Sequence, residues 1–297
     1  MEDKLPLVTI RCAVYNHEPY LRQCLDGFVM QKTNFKFEAI VHDDASTDKS
    51  AEIIKEYADK YPDIIKPIFE KENQYSKKDG SLRRIMNEYT RGKYVAYCEG
   101  DDFWIDNMKL QKQVDFMEQH SDYSLCFHNA VVFYGDINKH PYFFCRFKDS
   151  KEIFLEDIIS SWIIPTASIL CRRELNHFPD WATKIYSGDY LLSLLAINAG
   201  RVFYINEIMS FYRITFNSCS SNSKLKDKSS YIKDQHVLLL QYFNEYTNFK
   251  YDAILSKRID YDKKMSKYIA YKQKGLLYTF FRMPCFFIKK LYLKIKS

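Results

Sequence analysis

Glycine and proline are scarce in this sequence, with eight of each in 297 residues. That scarcity excludes long flexible linkers and Pro/Gly-rich disordered architectures. No apolar stretch is long enough to cross a bilayer as a helix. The longest nearly uncharged run, residues 276–288, is broken by Arg282 and Pro284 and falls short of the roughly 20 residues a span needs. No G-x-G-x-x-G follows the first predicted strand and no P-loop occurs, so two common phosphate-cradling loops are missing. The eight cysteines (12, 24, 98, 126, 145, 171, 219 and 285) form no C-x-x-C pair and sit mostly inside apolar runs. They read as free thiols acting as small hydrophobes in a reducing cytosol. Residues 1–4 lead directly into a strand, with no signal-peptide pattern.

What is present points to a folded enzyme-sized body. Hydrophobic residues make up 46% of the chain, ample for a core, and aromatics are heavily used, with 24 Tyr and 22 Phe. The net charge of +6 is unevenly spread. Residues 263–297 hold ten Lys or Arg and no acid; removing those ten from the +6 leaves −4 on the rest. A mildly acidic body with a basic, aromatic tail points to an anionic membrane surface for the tail and argues against nucleic acid. The plainer reading of the tail is a helical hairpin laying its aromatics on the body.

Residues 7–14, 37–42 and 94–98 are near-continuous apolar runs of the buried parallel-strand type, with 64–70 a weaker strand. Between and after them, residues 20–30, 49–60, 81–90 and 107–119 carry helical spacing, and Ser46, Thr47 or Asp48 can cap the second helix. This alternation predicts a doubly wound, mostly parallel α/β sheet flanked by helices. The second half is less regular. It offers strands at 124–134, 163–171, 201–205 and 208–214, a short helix at 154–160 and another from Gly188 through about Ala199. Residues 217–230 read as a mobile Ser/Lys-rich loop, followed by helices at 231–246 and 253–271 and an aromatic–lysine stretch at 276–295.

The chain is organised around the fourth strand, which runs into Glu99-Gly100-Asp101-Asp102. Gly100 permits a tight turn there. Adjacent carboxylates at a strand's carboxyl end repel each other and are costly to desolvate. A hard cation, Mg²⁺ or Mn²⁺, relieves that cost using one or two carboxylates plus substrate phosphates. A second acidic strand end, Asp43-Asp44, lies upstream. The plainer readings are a solvated acidic turn for the first and helix capping for the second. Capping needs only one acid, however, and Ser46 or Asp48 is better placed. Two neighbouring acidic strand ends fit a nucleoside diphosphate held by its base, ribose and metal-bridged phosphates.

The run from Val8 to Tyr15-Asn16, then Asp43-Asp44-Ala45-Ser46-Thr47-Asp48, then Glu99-Gly100-Asp101-Asp102, resembles the successive motifs of the family 2 inverting glycosyltransferases with the GT-A fold. The resemblance covers residues 7–221. It implies that Tyr15 packs against the nucleobase and Asp44 accepts from it, with Asp43 nearby. It further implies that Asp101 faces ribose or metal and Asp102 the metal. Glu99 stands where the family often has Asp, so its role is weaker. Ser187-Gly188-Asp189-Tyr190 resembles the segment carrying the general base, which makes Asp189 the candidate to deprotonate the acceptor hydroxyl; without that resemblance Asp189 reads first as a helix cap. Tyr212-Arg213 resembles the family's Arg-bearing segment, where a guanidinium stabilises diphosphate, against a plain surface ion pair. Arg83 and Arg84 are lesser phosphate candidates, His128 reads as a core histidine, and residues 162–168 as an acceptor-side wall.

Three functions compete. The first is an inverting, metal-dependent transfer of sugar from a UDP- or dTDP-type nucleotide-sugar to a hydroxyl of a glycan or lipid-linked glycan. Its setting would be bacterial surface polysaccharide synthesis, in the cytoplasm or peripherally on the inner face of the membrane. The second, a nucleotidyltransferase, normally needs a Gly- and Lys/Arg-rich loop after the first strand, and residues 15–20 show none. The third, a non-catalytic nucleotide- or sugar-binding module, would have no use for Asp189. The expected organisation is a GT-A domain at 1–222, with a nucleotide-binding half at 1–106 and an acceptor half at 107–222. A helical, basic-aromatic extension follows at 223–297.

Overall fold

Strand β1 (Val8–Val14) is the axis of the sheet in the computed structural model, which describes residues 5–134, 140–214, 229–273 and 283. Its seven residues carry one charge, Arg11, and nearly all are buried, because helices cover both faces of the sheet there. β2 (Phe37–Asp43) and β4 (Tyr94–Tyr97) pair with it in parallel, and β3 (Ile65–Phe69) adds outside β2. Helices α1 (Glu18–Val29), α2 (Ser50–Lys60) and α3 (Ser81–Tyr89) make the crossovers. α1 starts with a proline in its first turn, where the missing N–H costs nothing, and buries Leu21, Leu25 and Phe28. Fully burying one such side chain is worth about 1.5–3 kcal/mol.

The motif strand then turns back as β5 (Phe103–Trp104), a two-residue element that sequence periodicity does not reveal. Trp104 is buried, donates Nε1–H to the Ala167 carbonyl at 2.8 Å, and meets Phe28 edge-on at 5.0 Å. After α4 (Lys109–Gln119) come β6 (Tyr123–Tyr134), the short β7 (Tyr142–Phe143) and β8 (Lys151–Ile153), α5 (Leu155–Ser160), β9 (Leu170–Arg172), α6 (Gly188–Ala199) and β10 (Arg201–Ile214). The strand order is β3-β2-β1-β4-β9-β6-β10-β5, with β7 on β6 and β8 on β10. The β3-β2-β1-β4 half is parallel, as is β6 with β10; β9 and β5 run antiparallel to their neighbours.

Three expected elements differ in detail. The strand expected at 163–171 shrinks to β9, because Pro165 leads into a 3₁₀ turn at Thr166–Ser168. The two strands expected at 201–205 and 208–214 are one strand with a register shift between Ile205 and Ile208. That bulge is fixed by Asn206, whose Nδ2–H donates to the Lys148 carbonyl at 2.6 Å. The expected loop at 217–230 (all but its last two residues) and the stretch at 276–295 (all but residue 283) lie outside the described residues.

Contacts divide the chain into two units, Met1–Thr215 and Phe216–Ser297. In the second, α7 (Ser229–Tyr246) and α8 (Asp252–Gln273) are joined through Asp262, which is fully buried. Its carboxylate accepts from Lys233 (3.0 Å), His236 (3.0 Å) and Arg258 (2.7 Å), which hold it far below the usual carboxylate range. The six described cysteines are buried free thiols. Among the described residues no helix is long and apolar enough to cross a membrane.

Candidate active site

The carboxyl ends of β1, β2 and β4 converge because their parallel register puts Val14 beside Asp43 and Arg11 beside Tyr97. The loops after β1 and β2 are then laced together. Asn16, in the left-handed region at φ 56°, accepts the Thr47 N–H at 2.8 Å, and its own N–H donates to Ser46 Oγ at 2.9 Å. Asp48 takes N–H bonds from Glu18 and from Ser50, both at 2.9 Å, so one carboxylate serves the starts of α1 and α2 together. Tyr15 stands at this rim, 47% exposed.

Asp43 and Asp44 are both nearly fully buried. Asp44 is tied down: its oxygens accept the main-chain N–H groups of Gln74 (2.6 Å) and Tyr75 (3.0 Å). Asp43 gives one oxygen to the Ser46 N–H at 3.2 Å, while its Oδ1 is buried without a hydrogen-bond partner. The acceptor left open in this pair therefore belongs to Asp43.

After β4, the Gly100 N–H donates to the Ala13 carbonyl at 3.1 Å and that of Asp102 to the Glu99 carbonyl at 3.0 Å, closing the turn. Gly100 is not in the left-handed region; it is needed for space. A Cβ there would lie 2.6 Å from His17 Nδ1. Asp102 is 2% exposed and accepts the main-chain N–H of Arg213 at 2.8 Å. Burial, then the charge of Asp101, drives its carboxyl well above the ordinary range. Glu99 is pushed up to about 8, by burial first and then by Asp101 and Asp189.

The turn at Thr166–Ser168 ties Asp189 to the motif side of the sheet, since Thr166 bonds Asp189 and the Ala167 carbonyl accepts from Trp104. Asp189 lies in the first turn of α6 and accepts from Ser187 Oγ (2.5 Å) and the Tyr190 N–H (2.9 Å) on Oδ1, and from Thr166 Oγ1 (3.4 Å) on Oδ2. Thr166 and Ser187 orient it; the sequence marked Ser187 only as part of the motif and Thr166 only as part of the 162–168 wall, not as partners of Asp189. Asp157 accepts the Phe154 N–H at 3.0 Å and pairs with Lys151, a capping role at α5. Arg213 is anchored: Nε–H donates to the Asp101 carbonyl (2.9 Å), Nη2–H to Gln23 Oε1 (2.8 Å), and the guanidinium lies over Tyr20 and Phe133 at 4.5 and 4.6 Å. Arg84 pairs with Asp79, while Arg83 lies over Phe178 at 4.5 Å. His128 is fully buried, bonds its own strand at the Asn129 carbonyl (2.8 Å) and is held neutral by burial.

Among the described residues no three His, Cys, Asp or Glu side chains form a metal-holding group. Asp101 and Asp102 still fit a divalent cation. They are hard oxygen donors whose charges are left repelling each other in a buried setting, and a cation completed by substrate phosphates removes that repulsion.

Comparison with known proteins identifies the family and the fold. The family model described as Glycosyl transferase family 2 matches residues 10–178. An uncharacterized protein of Mycobacterium tuberculosis is 34% identical over 199 residues, which are 67% of this chain and 56% of that protein. The chain thus spans about half the length of that relative. The UDP-Glc:alpha-D-GlcNAc-diphosphoundecaprenol beta-1,3-glucosyltransferase of Escherichia coli is 25% identical over 224 residues, 73% of this chain and 80% of that one. In fold, the chain matches a mannosyltransferase from Pyrobaculum calidifontis, solved with GDP-Man and Mn²⁺, at a TM-score of 0.56 and 15% identity, covering 99% and 81% of the two chains.

Proposed function

The chain belongs to glycosyl transferase family 2, and from that premise we propose that it transfers a sugar from a UDP- or dTDP-type nucleotide-sugar to an acceptor hydroxyl with inversion. The observation that carries the reading is the bond from Thr166 to Asp189, because the same turn takes the Nε1–H of Trp104, two residues past Asp102, at Ala167. A base and the donor-binding acids share one crevice, as an in-line displacement needs.

In this reading Tyr15 stacks on the base, and the Asp43–Asp44 pair accepts its ring N–H, with the unpartnered Oδ1 of Asp43 the open acceptor. Uracil and thymine present such a donor, and cytosine does not. Asp101 and Asp102 would hold Mg²⁺ or Mn²⁺, which when bound supplies positive charge to the leaving diphosphate. Arg213 fixes both acids through its main chain and side chain, adding charge beside the phosphates. Asp189 takes the proton of the acceptor hydroxyl as it attacks the anomeric carbon opposite the departing phosphate.

We assign the catalytic domain to residues 1–222, with donor and acceptor halves meeting at 106–107, and a basic extension to 223–297. The E. coli relative's name describes a lipid-linked acceptor. A glycan or lipid-linked glycan acceptor in surface polysaccharide synthesis, at the inner face of a membrane, is the setting proposed for this chain too.

The test is a melting-shift screen of nucleotide-sugars with and without Mn²⁺, followed by turnover of wild type and Asp102→Asn. UDP- or dTDP-sugars should stabilise the wild type most, and in a Mn²⁺-dependent way. Asp102→Asn should fold, still accept the Arg213 N–H, and lose turnover. Full activity in EDTA, or wild-type turnover in the variant, contradicts the metal assignment; tighter binding of a guanosine or cytidine nucleotide contradicts the base assignment.

A further inference from the structure

A groove of about 590 Å³ lies on the β6–β7–β10 side of the first unit, within the roughly 300–1,000 Å³ range of small-molecule sites. Its polar liners are spent on the protein itself. Asn129 clamps the main chain of Cys145 at both ends, accepting its N–H at 2.8 Å and donating to its carbonyl at 3.1 Å. Asn206 donates to the Lys148 carbonyl at 2.6 Å and accepts from Tyr204 Oη at 2.9 Å. The Cys145 thiol donates to the Ile163 carbonyl at 3.0 Å. Left facing the groove are Tyr142, Phe143, Phe147 and Ile208, and one cation, Arg146. Tyr142, Phe143 and Ile208 are 48%, 56% and 39% exposed, and Arg146 forms no ion pair among the described residues.

An apolar trough with one guanidinium that forms no ion pair among the described residues selects a ligand with an apolar body and one anionic group. The groove's wall touches the loop that reaches Asp189: the Cys145 thiol bonds the Ile163 carbonyl, and Thr166 further along that loop bonds Asp189. Phe144 meets Trp162 edge-on at 6.0 Å and Tyr212 at 5.6 Å, and Tyr212 adjoins Arg213. Trp162 is 46% exposed, its ring pinned by Nε1–H donation to the Ile164 carbonyl, and the same loop brings Thr166 to Asp189. We infer that this groove binds the hydrocarbon chain of a prenyl-phosphate-linked acceptor, with Arg146 on a phosphate and the sugar lying over Trp162 towards Asp189. The inference rests on the glycosyltransferase reading and names its acceptor class.

The probe is farnesyl phosphate, titrated by calorimetry into protein saturated with UDP so that the donor site is filled. Wild type should bind it saturably, with farnesol and inorganic phosphate each weaker by roughly tenfold or more, the worth of one charge-assisted bond. Arg146→Gln and Phe143→Ser, both at exposed positions, should melt as wild type and weaken farnesyl phosphate by a similar factor. Equal binding by both variants, binding no tighter than farnesol, or binding abolished by UDP overturns the proposal. Hydrolysis of a nucleotide-sugar by the wild type is measured beside it: failure there removes the glycosyltransferase reading, whereas failure of farnesyl phosphate alone removes only the groove's assignment.

Discussion

Gly100 presses its bare Cα against the imidazole of His17, so that a side-chain carbon there would lie 2.6 Å from Nδ1 and 3.0 Å from the Val14 side chain. His17 is the residue before α1 and Gly100 sits inside the acidic turn. The contact therefore locks the donor-side loop to the proposed metal acids. Burial keeps His17 below its ordinary pKa despite Asp101 and Asp48 nearby.

Gly100→Ala should accordingly displace either His17 or the acids. Overpacking of this kind costs about 1–3 kcal/mol. We expect a lowered Tm and loss of Mn²⁺-dependent nucleotide binding together, both read by calorimetry. Unchanged binding with a normal melt would mean that the turn tolerates the extra carbon and that the packing is incidental.

Lys109 gives a pH-dependent prediction. It is fully buried at the start of α4, donates to Gln113 Oε1 at 2.6 Å, and lies over the Trp104 ring at 4.0 Å. Burial lowers its pKa to about 7. Between that value and the unfolded value of about 10.4 the unfolded chain binds more protons, so stability rises with pH across the window. Lys109→Met should lack this rise. Melting curves from pH 6 to 10 that keep the same slope in the variant would refute it.

The basic stretch 263–297 predicts membrane attachment. Each basic residue near an anionic surface contributes about 1 kcal/mol and is screened by salt. Co-sedimentation with anionic liposomes should fall sharply on deleting the stretch or raising salt. A full-length protein that ignores such liposomes at low salt would identify the tail as packing rather than docking.

Much of the donor side was legible because its signals are local. Apolar runs ending in adjacent acids announce β2 and β4, and Ser187-Gly188-Asp189 announces the start of α6. What escaped reading depends on partners far along the chain. Asp102 is met by the Arg213 N–H from 111 positions away, and Asp44 by a turn 30 and 31 positions downstream. The pairing of β5 with β10 joins two residues at 103–104 to two at 210–211. No periodicity records a two-residue strand. Gly100 was recognised as necessary for its freedom to turn, whereas the structure requires it for the space beside His17.

Asp189 separates an enzyme from a binding module. Its carboxylate is held by three donors, Ser187 Oγ, the Tyr190 N–H and Thr166 Oγ1. Asn keeps an oxygen for the first two and meets the Thr166 hydroxyl with an amide, so Asp189→Asn should fold and bind metal and nucleotide normally. It cannot accept a proton at neutral pH, and a general base contributes on the order of 10²–10⁴-fold to the chemical step. Turnover should fall within that range while donor affinity holds. Thr166→Val, which removes only an orienting bond, should cost less and leave the base's ionisation visible in the pH–rate profile. Loss of folding in Asp189→Asn would make Asp189 structural. Unchanged turnover would move the base to Glu99, since Asp157 is committed to capping α5.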